Sequence, residues 1–218
     1  MTLIRKIRED RYYILLFLEI ALIMTLPFLE HHDIVSSAII AGLLSLILIA
    51  GINTLENRKL HRYSWWVVAL FIVLTTTHSF KPFPQLYFLS YLLFFGMLVI
   101  VDIGIIRMLL WAKNVKPSFI AGSVAGYLLI GLNLAFFIIA INGIVDFNAL
   151  SKPIDEIGFQ GVLYFSLTTM TTIGYGDIAP VAPMVQMVSA LTGVLSQFYI
   201  AVVVAVIVSK LLSSKQNQ

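Results

Sequence analysis

The sequence predicts an all-α integral membrane protein with six transmembrane helices, and three observations carry that expectation. Hydrophobic residues make up 60% of the 218 positions and charged residues 11%, against roughly 45–50% and 25% in soluble domains. The apolar residues gather into long runs broken by short polar stretches, at about 12–28, 35–55, 64–77, 86–110, 118–141 and 183–212. Lys and Arg recur at every second break, the bias that loops on the cytoplasmic side of a membrane carry.

The first run follows Arg5, Lys6, Arg8 and Arg11. A secretory signal would show an apolar core of about 7–15 residues and a small-residue cleavage site. Here the run is longer and ends in Leu26-Pro27-Phe28-Leu29-Glu30, so a retained helix is expected. Arg58, Lys59 and Arg62 separate the second and third runs, of which the third is the shortest. Arg107, Lys113 and Lys116 flank the fourth and fifth, and Lys210 and Lys215 follow the sixth. Of the 14 basic residues only Lys81 and Lys152 fall outside this set, which puts both termini on the cytoplasmic side. The net charge of +3 then has a topological cause and calls for no nucleic-acid partner. With no cysteine in the chain, disulfides and thiolate metal sites are excluded.

The fifth run contains Gly122-Ser123-Val124-Ala125-Gly126, a small-xxx-small pattern that lets helix backbones approach closely. In the sixth, Ser189, Gly193 and Ser196 repeat at similar spacing and are expected to face neighbouring copies of the same helix. Pro117 is placed to start the fifth helix. Between the fifth and sixth runs, residues 158–170 form an apolar stretch of about three turns, too short for a bilayer that needs roughly 20 residues. A re-entrant half helix is predicted there. Non-helical backbone at membrane depth is tolerated only where protein buries it or where it lines a wet cavity.

Thr171-Thr172-Ile173-Gly174-Tyr175-Gly176-Asp177 follows directly. Consecutive carbonyls can turn toward one axis if the backbone alternates between left-handed and right-handed regions, and glycine enters the left-handed region without steric cost. Gly174 and Gly176 permit that alternation, Thr172 can add its hydroxyl at the inner end, and Tyr175 would point away as a strut. From Leu163 to Asp177 the sequence resembles the pore region of the tetrameric potassium channel superfamily, particularly small bacterial channels and the two-pore-domain group. The likeness is strongest over the half helix, the filter and the last helix, where Ser196-Gln197-Phe198-Tyr199-Ile200-Ala201 is similar to a run common in small bacterial members.

The resemblance implies a potassium filter in which four loops supply backbone carbonyls in place of the ion's water shell. Potassium ions would be held at Thr172, Ile173, Gly174 and Tyr175, with Gly176 completing the loop and no cofactor besides the ions. Tyr164 and Phe165 would brace the filter tyrosine, and Asp177 would sit at the outer mouth. One loop per chain cannot enclose an ion, so a homotetramer embedded in lipid is expected, with the half helices aiming their negative dipole ends at the centre. Residues 1–111 would form a four-helix membrane domain and 112–218 the pore domain. Many relatives carry a hinge glycine 20 residues after the second filter glycine; Ser196 stands there and Gly193 one turn earlier, so these two are the candidates for gate or hinge.

The fourth run carries one basic residue, Arg107, near its end. A charge crossing the field is worth about 2.3 kcal/mol per 100 mV, and a single terminal arginine that can snorkel gives no steep voltage response. Glu19 and Asp102 lie inside spans, roughly 10–12 Å from the basic ends at 1.5 Å per residue. Each is expected either to pair with a neighbour such as Arg11 or Arg107 or to act in sensing, since intramembrane acids are functional candidates by default. If the two are buried together, mutual repulsion would favour a neutral form of one. His31, His32 and Asp33, with His78, would lie outside as solvated polar groups, as a proton-sensing cluster or as a weak metal site. Asp146, Asp155 and Glu156 against Lys152 would make the external segment mildly acidic and raise the local cation concentration. With only short stretches before the first helix and after the last, no cytoplasmic ligand-binding domain is expected.

The predicted function is a potassium-selective channel subunit in a bacterial inner membrane. A weakly selective cation channel and a non-conducting regulatory subunit are the alternatives. Nucleophile elbows, phosphate loops and dense metal-ligand clusters are missing from the sequence, so no enzyme is expected.

Overall fold

The computed structural model describes residues 2–29, 34–55, 61–71, 84–111, 117–143 and 148–216. Over these residues the chain is helical: α1 (Thr2–Thr25), α2 (Ile34–Thr54), α3 (61–71), α4 (Pro84–Trp111), α5 (Pro117–Asn142), α6 (Ile154–Met170) and α7 (Pro183–Gln216). Extended pairing among the described residues is limited to a single antiparallel bridge, Leu150 with Pro180.

Local chemistry sets the ends. Proline opens α4, α5 and α7, where its missing N–H would have had no partner in any case and its fixed φ suits the first turn. At the far end of α1, Thr25 Oγ1 donates to the Ala21 carbonyl at 2.6 Å and a 3-10 turn through Pro27 closes the helix. Thr54 Oγ1 does the same for α2, donating to Gly51 O at 2.6 Å. Five helices are long and apolar enough to cross a membrane, at Asp10–Phe28, Val35–Thr54, Leu89–Trp111, Pro117–Asn142 and Pro183–Lys210. The third expected span, 64–77, lies partly outside the described residues, as do His31, His32, Asp33, His78 and Asp146.

The 26 residues of α5 give about 39 Å of helix at 1.5 Å per residue, and this helix organises the rest. On one side α1 and α4 pack against it; on the other it meets α6 and α7. Glycines make the approach close. A Cβ at Gly122 would stand 2.9 Å from both Tyr12 of α1 and Met108 of α4, and at Gly126 it would reach Tyr199 Oη at 2.6 Å and Ile105 Cγ2 at 2.9 Å. Gly131 accepts α6 in the same way, with Met170 Sδ at 2.7 Å and Leu167 Cδ2 at 2.8 Å from the position of a Cβ. The small residues of α5 thus form a packing device with four partners, α1, α4, α6 and α7. Aromatic rings fill the upper part of the same seam: Phe94 and Phe136 lie 4.2 Å apart by ring centroid, and Phe136 and Phe159 5.5 Å.

Of the first four helices, α1 and α4 therefore lean on α5, and α2 packs against both of them. A further fastening lies at the other end, where Lys210 Nζ of α7 donates to Leu109 O in the last turn of α4 at 2.8 Å and stands 5.3 Å from the centre of the Phe119 ring of α5. Carbonyls at a helix C-terminus lack helical donors and carry partial negative charge, so an ammonium is favoured there.

Candidate functional site: a half helix and its following loop

The half helix and loop are held at both ends before the loop itself is considered. Gly158 interrupts α6 with φ 58°, ψ −171°, so a first turn at Ile154 is set off from the helix that runs on to Met170. Asp155 and Glu156 occupy that first turn, where negative charge suits the helix N-terminus. Beyond the loop, Ser151 N donates to Ala179 O at 2.7 Å, Ala179 N to Ser151 Oγ at 2.9 Å, and Val181 N to Ala149 O at 3.0 Å. These bonds fasten the segment entering α6 to the segment leaving the loop.

Within the loop, Thr172 (φ 62°), Gly174 (φ 52°) and Gly176 (φ 80°) all have positive φ, at alternate positions. That periodicity lets successive carbonyls swing to a common side. The two glycines were legible from the sequence; Thr172 was not, because a β-branched residue rarely enters the left-handed region. Such a residue stores strain of about 1–3 kcal/mol and is held there by its surroundings. Those surroundings are Thr172 N donating to Thr169 O and Gly174 N donating to Thr168 O, both at 3.1 Å.

Tyr164 and Tyr175 are stacked, with planes 2° apart and centroids separated by 6.4 Å, and Tyr164 Oη donates to Asp177 Oδ1 at 3.3 Å. Desolvation and the adjoining Asp177 carboxylate hold the Tyr164 phenol above its ordinary value, which keeps it a donor. Phe165, the other residue expected to brace the loop, points elsewhere within a single chain. It is buried in the chain's own core, and among the described residues it makes no ring contact with Tyr175; the residue that meets the loop tyrosine within the chain is Tyr164. Residues 172–177 are otherwise exposed, Tyr175 at 71% and Ile173 at 54%.

A joint that the sequence did not announce lies at Met170, the last residue of α6. Its carbonyl accepts from Ser196 Oγ at 2.7 Å and, at 3.4 Å each, from Gln197 Nε2 of α7 and Tyr127 Oη of α5. Ser196 is fully buried, and α7 is helical without interruption from Pro183 to Gln216, Gly193 included. Ser189 is buried within the chain as well. The expectation that Ser189 and Ser196 face neighbouring copies of the helix is thereby corrected: Ser196 is spent on its own half helix. Apolar side chains take the outward positions instead, with Met184, Met187, Leu191, Val194, Leu195, Phe198 exposed along α7. Below the loop, Thr172 and α7 residues Gly193, Val194, Gln197, Phe198 and others line a concavity of about 580 Å³.

Of the two intramembrane acids, Glu19 is fully buried and Asp102 half-buried. Asp102 Oδ2 accepts from Asn133 Nδ2 of α5 at 2.6 Å, while Glu19 has no hydrogen-bond partner on either oxygen. Neither pairs with an arginine: Arg11 donates to Asn53 O at 3.2 Å and to Tyr12 Oη at 3.0 Å, and Arg107 is exposed. Asn133 was missed by the sequence reading, although a lone amide in the middle of an otherwise apolar span is the signal that could have found it.

No curated protein and no solved structure matches the chain. Residues 127–213 match the model of a family described as ion channel, a stretch that takes in most of α5, all of α6 and the loop, and nearly all of α7.

Proposed function

We propose that the protein is one subunit of a potassium-selective channel, four copies of which surround a central pore. The observation that carries this reading is the alternation of positive φ at Thr172, Gly174 and Gly176 in a loop that follows a short half helix. A carbonyl-lined filter requires that backbone, and a simple surface turn does not. Potassium ions, stripped of water, would be held by the carbonyls of Thr172, Ile173, Gly174 and Tyr175 and by the Thr172 hydroxyl.

The fourfold assembly is supported by what a single copy leaves open. One loop faces solvent with Tyr175 largely uncovered, and the apolar stripe of α7 has spacing of three and four residues, the pattern of a helix face that packs on another helix. In the assembly the concavity lined by Thr172 and Phe198 becomes one wall of a vestibule beneath the filter. Residues 112–218 make the pore unit and residues 1–111 a collar around it, in a cell membrane with both termini cytoplasmic. Because α4 carries only Arg107, a steep voltage response is not part of the proposal.

The test is the reversal potential of purified protein in a planar bilayer with potassium on one side and sodium on the other. A value near the potassium equilibrium potential supports the proposal. A robust current reversing near zero makes the protein a weakly selective cation channel, and absence of current in reconstituted protein sinks the conducting-subunit reading in favour of a regulatory one.

A further inference from the structure

Glu19, Asp102 and Asn133 take no part in the filter, yet they form the strongest polar anomaly among the described residues. Each comes from a different helix, α1, α4 and α5, and they meet where the first and fourth helices clasp the fifth. Glu19 is fully buried with both oxygens unpartnered, and so are Asp102 Oδ1 and Asn133 Oδ1. Asp102 is near enough to Glu19 for the two charges to act on one another. Four buried acceptor atoms at this junction of α1, α4 and α5 thus have no hydrogen-bond donor among the described residues.

The surrounding groups do not supply one. From α7 comes Tyr199, within electrostatic reach of both acids, but its hydroxyl donates to Ser123 O at 2.8 Å. From α5 the titratable side chain is Tyr127, whose ring lies 6.0 Å from that of Tyr199 and whose hydroxyl is turned to Met170 O. On α1, Arg11 and Tyr12 sit two turns away and bond to each other and to Asn53 O; on α4, Arg107 is exposed. α2 has no titratable residue. A metal ion would need room and several ligands, and among the described residues no three His, Cys, Asp or Glu side chains lie together to hold one. A proton needs no cavity.

We propose that Glu19 and Asp102 form an intramembrane proton-binding site, linked to the pore helix α5 through Asn133. An unpaired carboxylate in an apolar interior neutralises rather than remain charged, and intramembrane acids facing the protein interior mark proton sites. Release breaks the O–H bond of one carboxyl, passes the proton to water and leaves the electron pair on the oxygen. Once both carboxyls have released their protons, two like charges sit on the two helices that grip α5, and the grip loosens or water enters. The site is thus a proton-dependent fastening between the first four helices and the pore half.

The experiment is infrared spectroscopy of the full chain in lipid across a pH series, reading the carbonyl stretch of protonated carboxyl groups. At neutral pH the native protein should show this band, and the Glu19→Gln/Asp102→Asn double variant should lose it. Native protein without the band, or a double variant that keeps it undiminished, overturns the proposal. Should the double variant fail to assemble, Glu19→Gln alone preserves shape and must weaken or displace the band; an unchanged band there also overturns it. Thermal unfolding supplies a second reading. The native state would hold a proton that the unfolded chain releases, so the unfolding temperature should fall as pH rises through the site's titration, and the double variant should flatten that slope. Neither measurement needs ion conduction, so failure of this proposal and failure of the channel reading are distinguishable.

Discussion

Replacing Ser196 by alanine tests the joint between α7 and the end of the half helix. The hydroxyl is fully buried and its bond to Met170 O is 2.7 Å long. A net intramolecular hydrogen bond contributes about 0.5–1.5 kcal/mol, and side-chain bonds between membrane helices average about 0.6 with a maximum near 1.7. Loss of the bond would not orphan the carbonyl, because Gln197 and Tyr127 still reach it at 3.4 Å. The expected loss is therefore about 1 kcal/mol per chain, or on the order of 4 kcal/mol for a fourfold ring if the sites act independently. Denaturation of the reconstituted protein by a titrated detergent would read that loss, and the reversal potential would read any shift of the loop. Gln197→Ala, which removes one of the longer bonds, should cost less. A Ser196→Ala protein as stable and as selective as the native one would refute the claim that this hydroxyl holds the helix to the loop.

Tyr164→Phe removes the hydrogen bond to Asp177 while preserving the ring stacked on Tyr175, so channels should assemble normally but spend less time conducting; single-channel recording checks this, and unchanged open times would remove Asp177 from the support of the loop. Gly126→Ala places a methyl against Tyr199 Oη and Ile105, and overpacking of that kind costs about 1–3 kcal/mol, to be measured as a lowered unfolding midpoint. Lys210→Met breaks the contact with Leu109 O and should cost about 0.3–1 kcal/mol, whereas Lys210→Arg should retain most of it; equal loss in both would show that the charge is not what matters.

The helices and the loop were legible because their signals are local. Runs of apolar residues fix α2, α4 and α5, prolines mark the starts of α4, α5 and α7, and Gly174 and Gly176 announce a backbone that other residues avoid. What stayed hidden depends on contacts between segments far apart in the chain. Nothing near Ser196 says that its hydroxyl will meet a carbonyl 26 residues earlier, and spacing alone favoured packing against a neighbouring copy. Thr172 is a similar case: its positive φ opposes its own preference and is imposed by the two glycines and by bonds to the end of α6. Tyr164 and Phe165 are adjacent and chemically alike, so sequence could not choose which one meets Tyr175. Helical geometry decides it, turning one ring to the loop and its neighbour into the core.

The arrangement also constrains how the first four helices can influence the pore half. Of those helices, α1 and α4 pack on α5, which in turn meets α6, and α4 meets α7 near Lys210. A change in the collar thus has two entries. One passes across the glycine face of α5, where Asn133 meets Asp102 and where Tyr199 donates to Ser123; the other acts on the far end of α7 through Lys210 and Leu109. The first entry lies against the same helix whose Tyr127 reaches Met170, so a shift of α5 moves the support of the loop directly. Because Ser196 ties α7 to that same carbonyl, the second entry also ends at the loop unless α7 bends between Ser196 and Lys210. Double-mutant cycles between Asn133 and Ser196, and between Lys210 and Ser196, would separate the two routes. Coupling in the first pair alone would assign control to α5, and coupling in the second alone would require α7 to transmit as a rigid rod.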